Sequence, residues 1–215
     1  MGNDAVFAWM SDAWAGVAAR FGAYNLVLPG SPTFICKAEA CTAHCCRVYS
    51  VSLGEPEVER LEKWSGLTPI HFLESEDGEP LTLPLAQPYL LSRSDGHCSL
   101  LGDDLRCSQY HGRPDACRLY PYFVVAISTA SGKPVYSNVA GIRSAATGAA
   151  DGTREGDLVP LLLSHVECPG FTGPPLPALD WRTLLLETAA LQYPADGYED
   201  GERPSEERKI RVVAT

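Results

Sequence analysis

The stretch TFICKAEACTAHCCRVY, residues 33–49, holds four of the chain's eight cysteines: Cys36, Cys41, Cys45 and Cys46. We read 33–36 as extended and 39–46 as a short helix or helical turn. Cys41 and Cys45 are four apart. On a helix their Cβ atoms would stand ~5–6 Å apart on one face, which suits two ligands of one site. Cys45 and Cys46 are neighbours and would diverge by ~100° at 3.6 residues per turn. They then serve different metal atoms, or one of them is a spare buried thiol. The other four thiols follow at wider spacing: Cys98, Cys107, Cys117 and Cys168.

What these thiols do depends on the compartment. The N-terminal run MGNDAVFAWMSDAWAGVAAR lacks the basic start of a secretory leader. It also carries Asp4 and Asp12 inside its apolar stretch. We therefore expect a cytoplasmic protein, in a reducing medium where thiols stay reduced. Eight cysteines in 215 residues fall well below the ~8–10% density of small disulfide scaffolds. Grouped thiols in such a setting read as metal ligands before disulfides. The alternative, thiols packed as small hydrophobes, fits scattered cysteines better than grouped ones. A mononuclear zinc takes four ligands, as do the usual iron–sulfur clusters. Eight thiols fill two such sites, or four bind and the rest pack nearby.

Charge sets further bounds. Lys and Arg number 17 against 27 Asp and Glu, a formal net charge of −10. Duplex nucleic acid is not an expected partner, because phosphate binding needs a positive surface. No apolar run reaches the ~18 residues of a membrane span. Against this acidic background Arg47, Arg106, Arg113 and Arg118 each lie within a few residues of a cysteine. A [4Fe–4S]²⁺ centre with four thiolates carries −2, as does Zn²⁺ with four thiolates. Arg47, Arg113 and Arg118 are candidates for donating hydrogen bonds to a cofactor's sulfurs, or they pair with the abundant carboxylates. His44, His97, His111 and His165 also stand near cysteines. We treat them as bystanders, with His44 and His165 the first exceptions.

Around the cysteines the chain is folded but rich in turns. Its 19 Gly and 17 Pro stay short of the ~25–30% typical of low-complexity sequence. Val6, Met10, Trp14, Val17 and Phe21 share one helical face, with Asn3 or Asp4 as cap and Gly22 as stop. A second helix is expected at 55–65, with Pro56 in its first turn and Gly66 at its end. Val58, Leu61 and Trp64 share one of its faces, while Glu55, Glu59, Glu62 and Lys63 form a solvated one. Residues 68–73 form one more helical turn, and 74–80 an acidic turn. Residues 89–107 read as a hairpin about Ser94-Asp95-Gly96, with a second turn at Gly102-Asp103-Asp104. A short helix around 115–119 carries Cys117. Residues 122–127 and 135–140 read as paired strands, 144–156 as a mobile loop, and 158–165 as a short helix. A last helix, 181–192, is capped by Asp180, and the charged tail beyond Tyr193 is expected to be disordered or a docking segment.

Several chemistries lack their motifs. There is no C-x₃-C-x₂-C triplet, no phosphate loop, no G-x-G-x-x-G turn, no H-E-x-x-H and no G-x-S-x-G. The zinc deaminase pattern and the paired C-x-x-C knuckles of a zinc ribbon are also missing. We identify no catalytic residue.

The ordered set Cys36, Cys41, Cys45-Cys46-Arg47, then Glu57 and Leu61, then Cys98, Cys107, the phrase YHGRPDACRLYP (110–121) and Cys168-Pro169-Gly170 resembles the bacterial YkgJ-like cysteine-cluster family. The resemblance spans roughly 33–172 and implies iron or zinc held by the cysteines. Flagellin lysine N-methylases carry a related cluster, but no methyl-donor motif is present here. The domain expectation is a helical extension (1–32), a cysteine-cluster metal-binding domain (33–172), and a C-terminal helix with a charged tail (173–215). The fold expected is α+β, short helices around a small antiparallel sheet, loop-rich, with metal substituting for a large core. All eight cysteines are candidate metal ligands. The functional expectation is an iron–sulfur protein with a [4Fe–4S] centre in a redox or cluster-dependent modifying role, acting on a substrate or redox partner still to be identified. The alternative is a non-catalytic module with structural Cys-ligated zinc.

Overall fold

The computed structural model describes residues 2–85, 87–136, 138–154 and 156–193. In chain order the first elements are α1 (Gly2–Val17), β1 (Tyr24–Leu26), β2 (Pro32–Phe34), α2 (Ala38–Cys41) and α3 (His44–Val48). Next come β3 (Ser52–Leu53), α4 (Glu55–Ser65), β4 (Ser75–Glu76), β5 (Glu79–Pro80), β6 (Tyr89–Leu90), β7 (Arg93–Ser94), β8 (His97–Cys98) and α5 (Asp115–Leu119). The last are β9 (Tyr122–Ser128), β10 (Pro134–Val135), α6 (Val139–Ala150), β11 (Leu158–His165), β12 (Phe171–Pro175) and α7 (Ala178–Gln192). Short helices and small antiparallel sheets make this an α+β fold, as expected from the sequence. The charged tail beyond Tyr193 lies outside the described residues.

Contacts divide the chain into two compact units. One takes the chain up to Cys36 together with the described residues from Leu119 onward, and the other is Lys37–Arg118. These limits are not those expected from the span of the cysteines. Cysteine spacing follows chemistry, whereas compactness follows which apolar faces meet.

The first unit is built on a four-stranded antiparallel sheet of order β1-β11-β9-β10. A smaller ribbon pairs β12 with β2. Seven consecutive residues of β11, from Val159 on, are buried. Successive strand side chains point to opposite faces, so both faces of the sheet are covered. That double burial explains why LVPLLLSH reads as a continuous apolar run. Such a run cannot be told from a buried helix by periodicity, and the expected short helix over 158–165 is a strand. Pro160 is tolerated because β1 pairs only with Leu163–His165, which leaves one neighbour strand beside it.

The expected mobile loop over 144–156 is also corrected, since Val139–Ala150 is helical. Alanine has the best intrinsic helix propensity, and Ala145, Ala146, Ala149 and Ala150 are buried. Asn138 caps α6, its Oδ1 accepting from the Gly141 N–H at 2.9 Å. A Cβ on Gly141 would stand 2.3 Å from the Asn138 amide, so the cap requires glycine there. On α1, Val6, Met10, Val17 and the following Phe21 are buried in the core, as their spacing predicts. Helix α7 starts at Ala178 after Pro177 and has no side-chain cap, so Asp180 sits inside its first turn rather than capping it. Trp181 is fully buried, and its Nε1–H donates to the Val27 carbonyl at 2.8 Å.

The end of α7 closes an open strand edge. The Gln192 Oε1 accepts from the Val124 N–H at 2.8 Å, and its Nε2 donates to the Val124 carbonyl at 2.9 Å. One side-chain amide thus does for β9 what a strand would do, at a position beyond the reach of β10.

The second unit has a smaller core: Leu53, Val58, Leu61, Phe72, Leu73, Leu91 and Leu100. Three two-stranded ribbons surround it: β3 with β6, β4 with β5, and β7 with β8. Helix α4 matches the expected 55–65, with Gly66 left-handed at its end (φ 70°). The acidic turn at 74–80 is a hairpin turning on Asp77-Gly78. The hairpin expected over 89–107 is narrower, β7 and β8 turning on Asp95-Gly96, because β6 pairs with β3 instead. In both turns the two central residues have positive φ, the twist that two-residue hairpins favour.

Gln192→Ala leaves the fully buried Val124 N–H without its acceptor. We expect a loss of about 1–3 kcal/mol, read as a lower urea midpoint at unchanged m-value.

Candidate metal centre

Cys45 and Cys46 sit on α3, which does not continue α2. Thr42 and Ala43 between them are both left-handed, with φ of 50° and 57°. Non-glycine residues rarely adopt this conformation. The single helix expected over 39–46 is therefore two short pieces, and Cys41 and Cys45 do not share a helix face. Arg47 secures the joint, its Nε donating to the Thr42 carbonyl at 2.7 Å. The Cys41 thiol makes a long 3.6 Å contact to the Ala38 carbonyl within its own turn.

Three further thiols come from separate elements of the same unit. Cys98 ends β8, directly across the hairpin from Arg93. Cys107 is bridged to Leu101 after the turn at 102–106. Both pack against the small apolar core. Cys117 lies on α5. All are partly buried, and none of the eight cysteines is in a disulfide.

Five of these thiols influence one another electrostatically. The Cys46 thiol, 4.0 Å from the Cys45 sulfur, pulls Cys45 down to about 7, with backbone N–H groups and the Arg113 charge assisting. Cys46 is pushed up in return, first by that shared hydrogen bond, then by burial and by the charges of Cys45, Cys98 and Cys107. Burial raises Cys98 and Cys107, and charge on Cys45 adds to both. Burial also raises Cys117, and charge on Cys98, Cys107 and Cys45 raises it further. Cys45, Cys46, Cys98, Cys107 and Cys117 thus form one interacting set.

The arginines divide. Arg113 faces the thiols, its charge favouring the thiolates of Cys45, Cys107 and Cys117. Its guanidinium lies 3.7 Å over the Tyr110 ring, a cation–π contact, and its Nε donates to the Tyr110 carbonyl at 2.9 Å. Arg118 pairs with Asp115 at 3.2 Å, and Arg47 is committed to Thr42. Arg93 was not singled out by sequence, and it matters more than either. Its guanidinium donates to the carbonyls of Tyr49 (2.7 Å), Gly96 (2.7 Å) and Arg47, and its charge favours the Cys98 thiolate. It ties the Cys45-Cys46 helix to the hairpin that carries Cys98. The only sequence signal for it is its place two residues before the Asp95-Gly96 turn.

Cys36 and Cys168 belong to the first unit. Cys36 is exposed just after β2, and Cys168 follows β11. The Ile35 N–H donates to the Gly170 carbonyl at 2.8 Å where their two segments meet. Cys168 and His165 help line a cavity of about 340 Å³ with Asn25, Ser31, Ser164 and Phe171. His165 is stacked between Tyr24 and Tyr120, with ring centroids at 4.5 and 5.2 Å. In the second unit His44 meets Tyr49 edge-on, and His111 stacks on Trp64.

Five electrostatically linked sulfurs and a facing guanidinium make a candidate thiolate-rich centre. Residues 35–138, just under half of the chain, match the family CxxCxxCC, described as "Putative zinc- or iron-chelating domain". This agrees with the YkgJ-like resemblance. No curated protein and no solved structure matches the chain. The family's name spells C-x₂-C-x₂-C-C, whereas this chain has C-x₄-C-x₃-C-C. The left-handed pair Thr42-Ala43 lies within the second of the longer links. The donor chemistry fits soft-metal chelation. Among the described residues, no three His, Cys, Asp or Glu side chains are closed around the position of a single ion. No helix among them is long and apolar enough to cross a membrane.

In metal-free protein we expect Cys45 to be alkylated first, with its rate rising through about pH 7 rather than near the ordinary ~8.5. Cys46→Ala and Arg113→Gln both remove groups that favour the thiolate, so each should move that midpoint upward. Peptide mass spectrometry across a pH series measures it.

Proposed function

We propose that the second unit binds an iron–sulfur centre, a [4Fe–4S] cluster, through thiolates drawn from Cys45, Cys46, Cys98, Cys107 and Cys117. The observation that carries this reading is the mutual influence of five thiols drawn from α3, the β7–β8 hairpin, the turn after it and α5. With Zn–S bonds of about 2.3 Å, a ZnS₄ tetrahedron needs its sulfurs ~3.8 Å apart. A four-iron cube holds its ligand sulfurs on separate corner atoms, and so further apart. All-sulfur donation also suits iron–sulfur chemistry. Such a centre would supply one-electron redox chemistry. Arg113 and Arg93 would offset part of its negative charge, and burial of Cys98 and Cys107 against the apolar core would limit solvent access. We assign it a redox or cluster-dependent modifying role in a reducing, cytoplasmic setting, consistent with eight cysteines outside disulfides.

Structural zinc is the second reading, and one observation favours it. Cys45 and Cys46 are 4.0 Å apart, close to a tetrahedral edge, beside a small apolar core. A metal would then contribute folding energy directly.

Anaerobic purification followed by iron, zinc and acid-labile sulfide analysis, with a visible spectrum, decides between them. We expect a brown protein with iron and sulfide. A colourless protein with stoichiometric zinc and no sulfide overturns the cluster. Cys45→Ser and Cys117→Ser should each lower metal per chain and melting temperature together. Full occupancy and unchanged melting in both variants would remove these two residues from the ligand set.

A further inference from the structure

Helix α4 grips the segment leading into α5 at three successive levels, through side chains that are not sulfur donors. Glu57 is only 5% exposed. Its Oε2 accepts from the Gly54 N–H at 2.9 Å and from Gln87 Nε2 at 3.2 Å. Its Oε1 accepts from the Asp115 N–H at 2.8 Å. One turn on, Arg60 Nη2 donates to the Arg113 carbonyl at 3.1 Å and to Asp115 Oδ1 at 2.7 Å, and it stands 3.8 Å from Glu57 Oε1. Another turn on, Trp64 covers Gly112 so closely that a Cβ there would meet the Trp64 Cβ at 2.9 Å. Positions 57, 60 and 64 recur on one side of a helix.

A carboxylate buried this far is tolerated when its lone pairs are filled. Here two of the fillers are main-chain N–H groups. The Gly54 N–H is a local one, the back half of a capping box. The Asp115 N–H is fifty-eight positions away and begins the turn that carries Cys117. Residues 113–115 thus hang on Glu57 and Arg60, with the thiol-facing Arg113 at one end and Cys117 two residues past the other.

We propose that Glu57 is a positioning residue of the metal centre: by holding the Asp115 N–H it sets where Cys117 and the Arg113 charge stand. This rests on the metal-ligand reading of the cluster and names what pre-organises one side of it. A carboxylate that merely stabilised the unit would affect all its thiols alike, whereas a positioning carboxylate acts on Cys117 before Cys98, which is placed by its own hairpin.

The test is site-resolved alkylation of the full-length, metal-free chain with iodoacetamide, read by peptide mass spectrometry. Glu57→Ala should speed alkylation of Cys117 roughly tenfold or more, on the scale of lost ligand support, and leave Cys98 within about twofold. Glu57→Gln keeps an oxygen that can accept from Asp115 and should restore most of the wild-type rate. Glu57→Asp, one methylene short, should show the same selective gain even if the alanine variant fails to fold. In protein purified with its metal, chelator-driven release of iron or zinc should be roughly ten- to a hundredfold faster in the aspartate variant. An unchanged Cys117 rate in the aspartate variant overturns the proposal. So does an equal gain at Cys98, Cys107 and Cys117. A selective Cys117 gain in a chain that carries neither iron nor zinc upholds the positioning of Cys117 and overturns the metal reading instead.

Discussion

The second unit depends on a conflict of charge. Five thiols interact within one partly buried region, where charge on Cys45, Cys98 or Cys107 makes neighbouring thiols harder to ionise. Cys45 and Cys46 show this most directly, sharing a hydrogen bond that pulls one sulfur down and pushes the other up. The pair titrates as a unit. Protein cations relieve only part of the repulsion, chiefly through Arg113 and Arg93. A metal bound by the thiolates would relieve more of it, although four thiolates on Zn²⁺ or on a [4Fe–4S]²⁺ centre would still leave a net charge of −2.

The scaffold around the thiols is built by polar clamps more than by apolar area. Arg93 gathers three carbonyls and joins α3 to the β7–β8 hairpin. Glu57 and Arg60 join α4 to the start of α5. Each clamp satisfies main-chain groups that no regular sheet or helix would otherwise pair. The first unit works differently. Its doubly covered sheet buries Val124, Val125, Leu161, Leu162 and Leu163 almost completely, and there a single side chain, Gln192, finishes an edge.

Local signals were readable where one rule dominated. Pro56 and Gly66 framed α4, and the spacing of Val6, Met10 and Val17 gave the buried face of α1. Asp95-Gly96 marked its hairpin. The misreadings share a cause. The sequence of β11 reads as a helix because burial on both faces erases alternation. The sequence of α6 reads as a loop because its small residues look like linker composition, although Ala145, Ala146, Ala149 and Ala150 are buried. The break at Thr42-Ala43 carries no glycine, so nothing in its residue types announced two left-handed positions.

The residues alone carry the grouped cysteines, an acidic chain with arginines near them, and the α+β class. Residue identity sets donor softness, and local spacing sets most helices and turns. Which thiols act on one another is decided only in three dimensions, since Cys98, Cys107 and Cys117 feel the charge of Cys45 from a hairpin, a bridge and a short helix far apart along the chain. The roles of Arg93 and Glu57 emerged only there too. A side chain that binds distant carbonyls or N–H groups leaves no periodic trace in its own neighbourhood, because its partners are chosen by the fold.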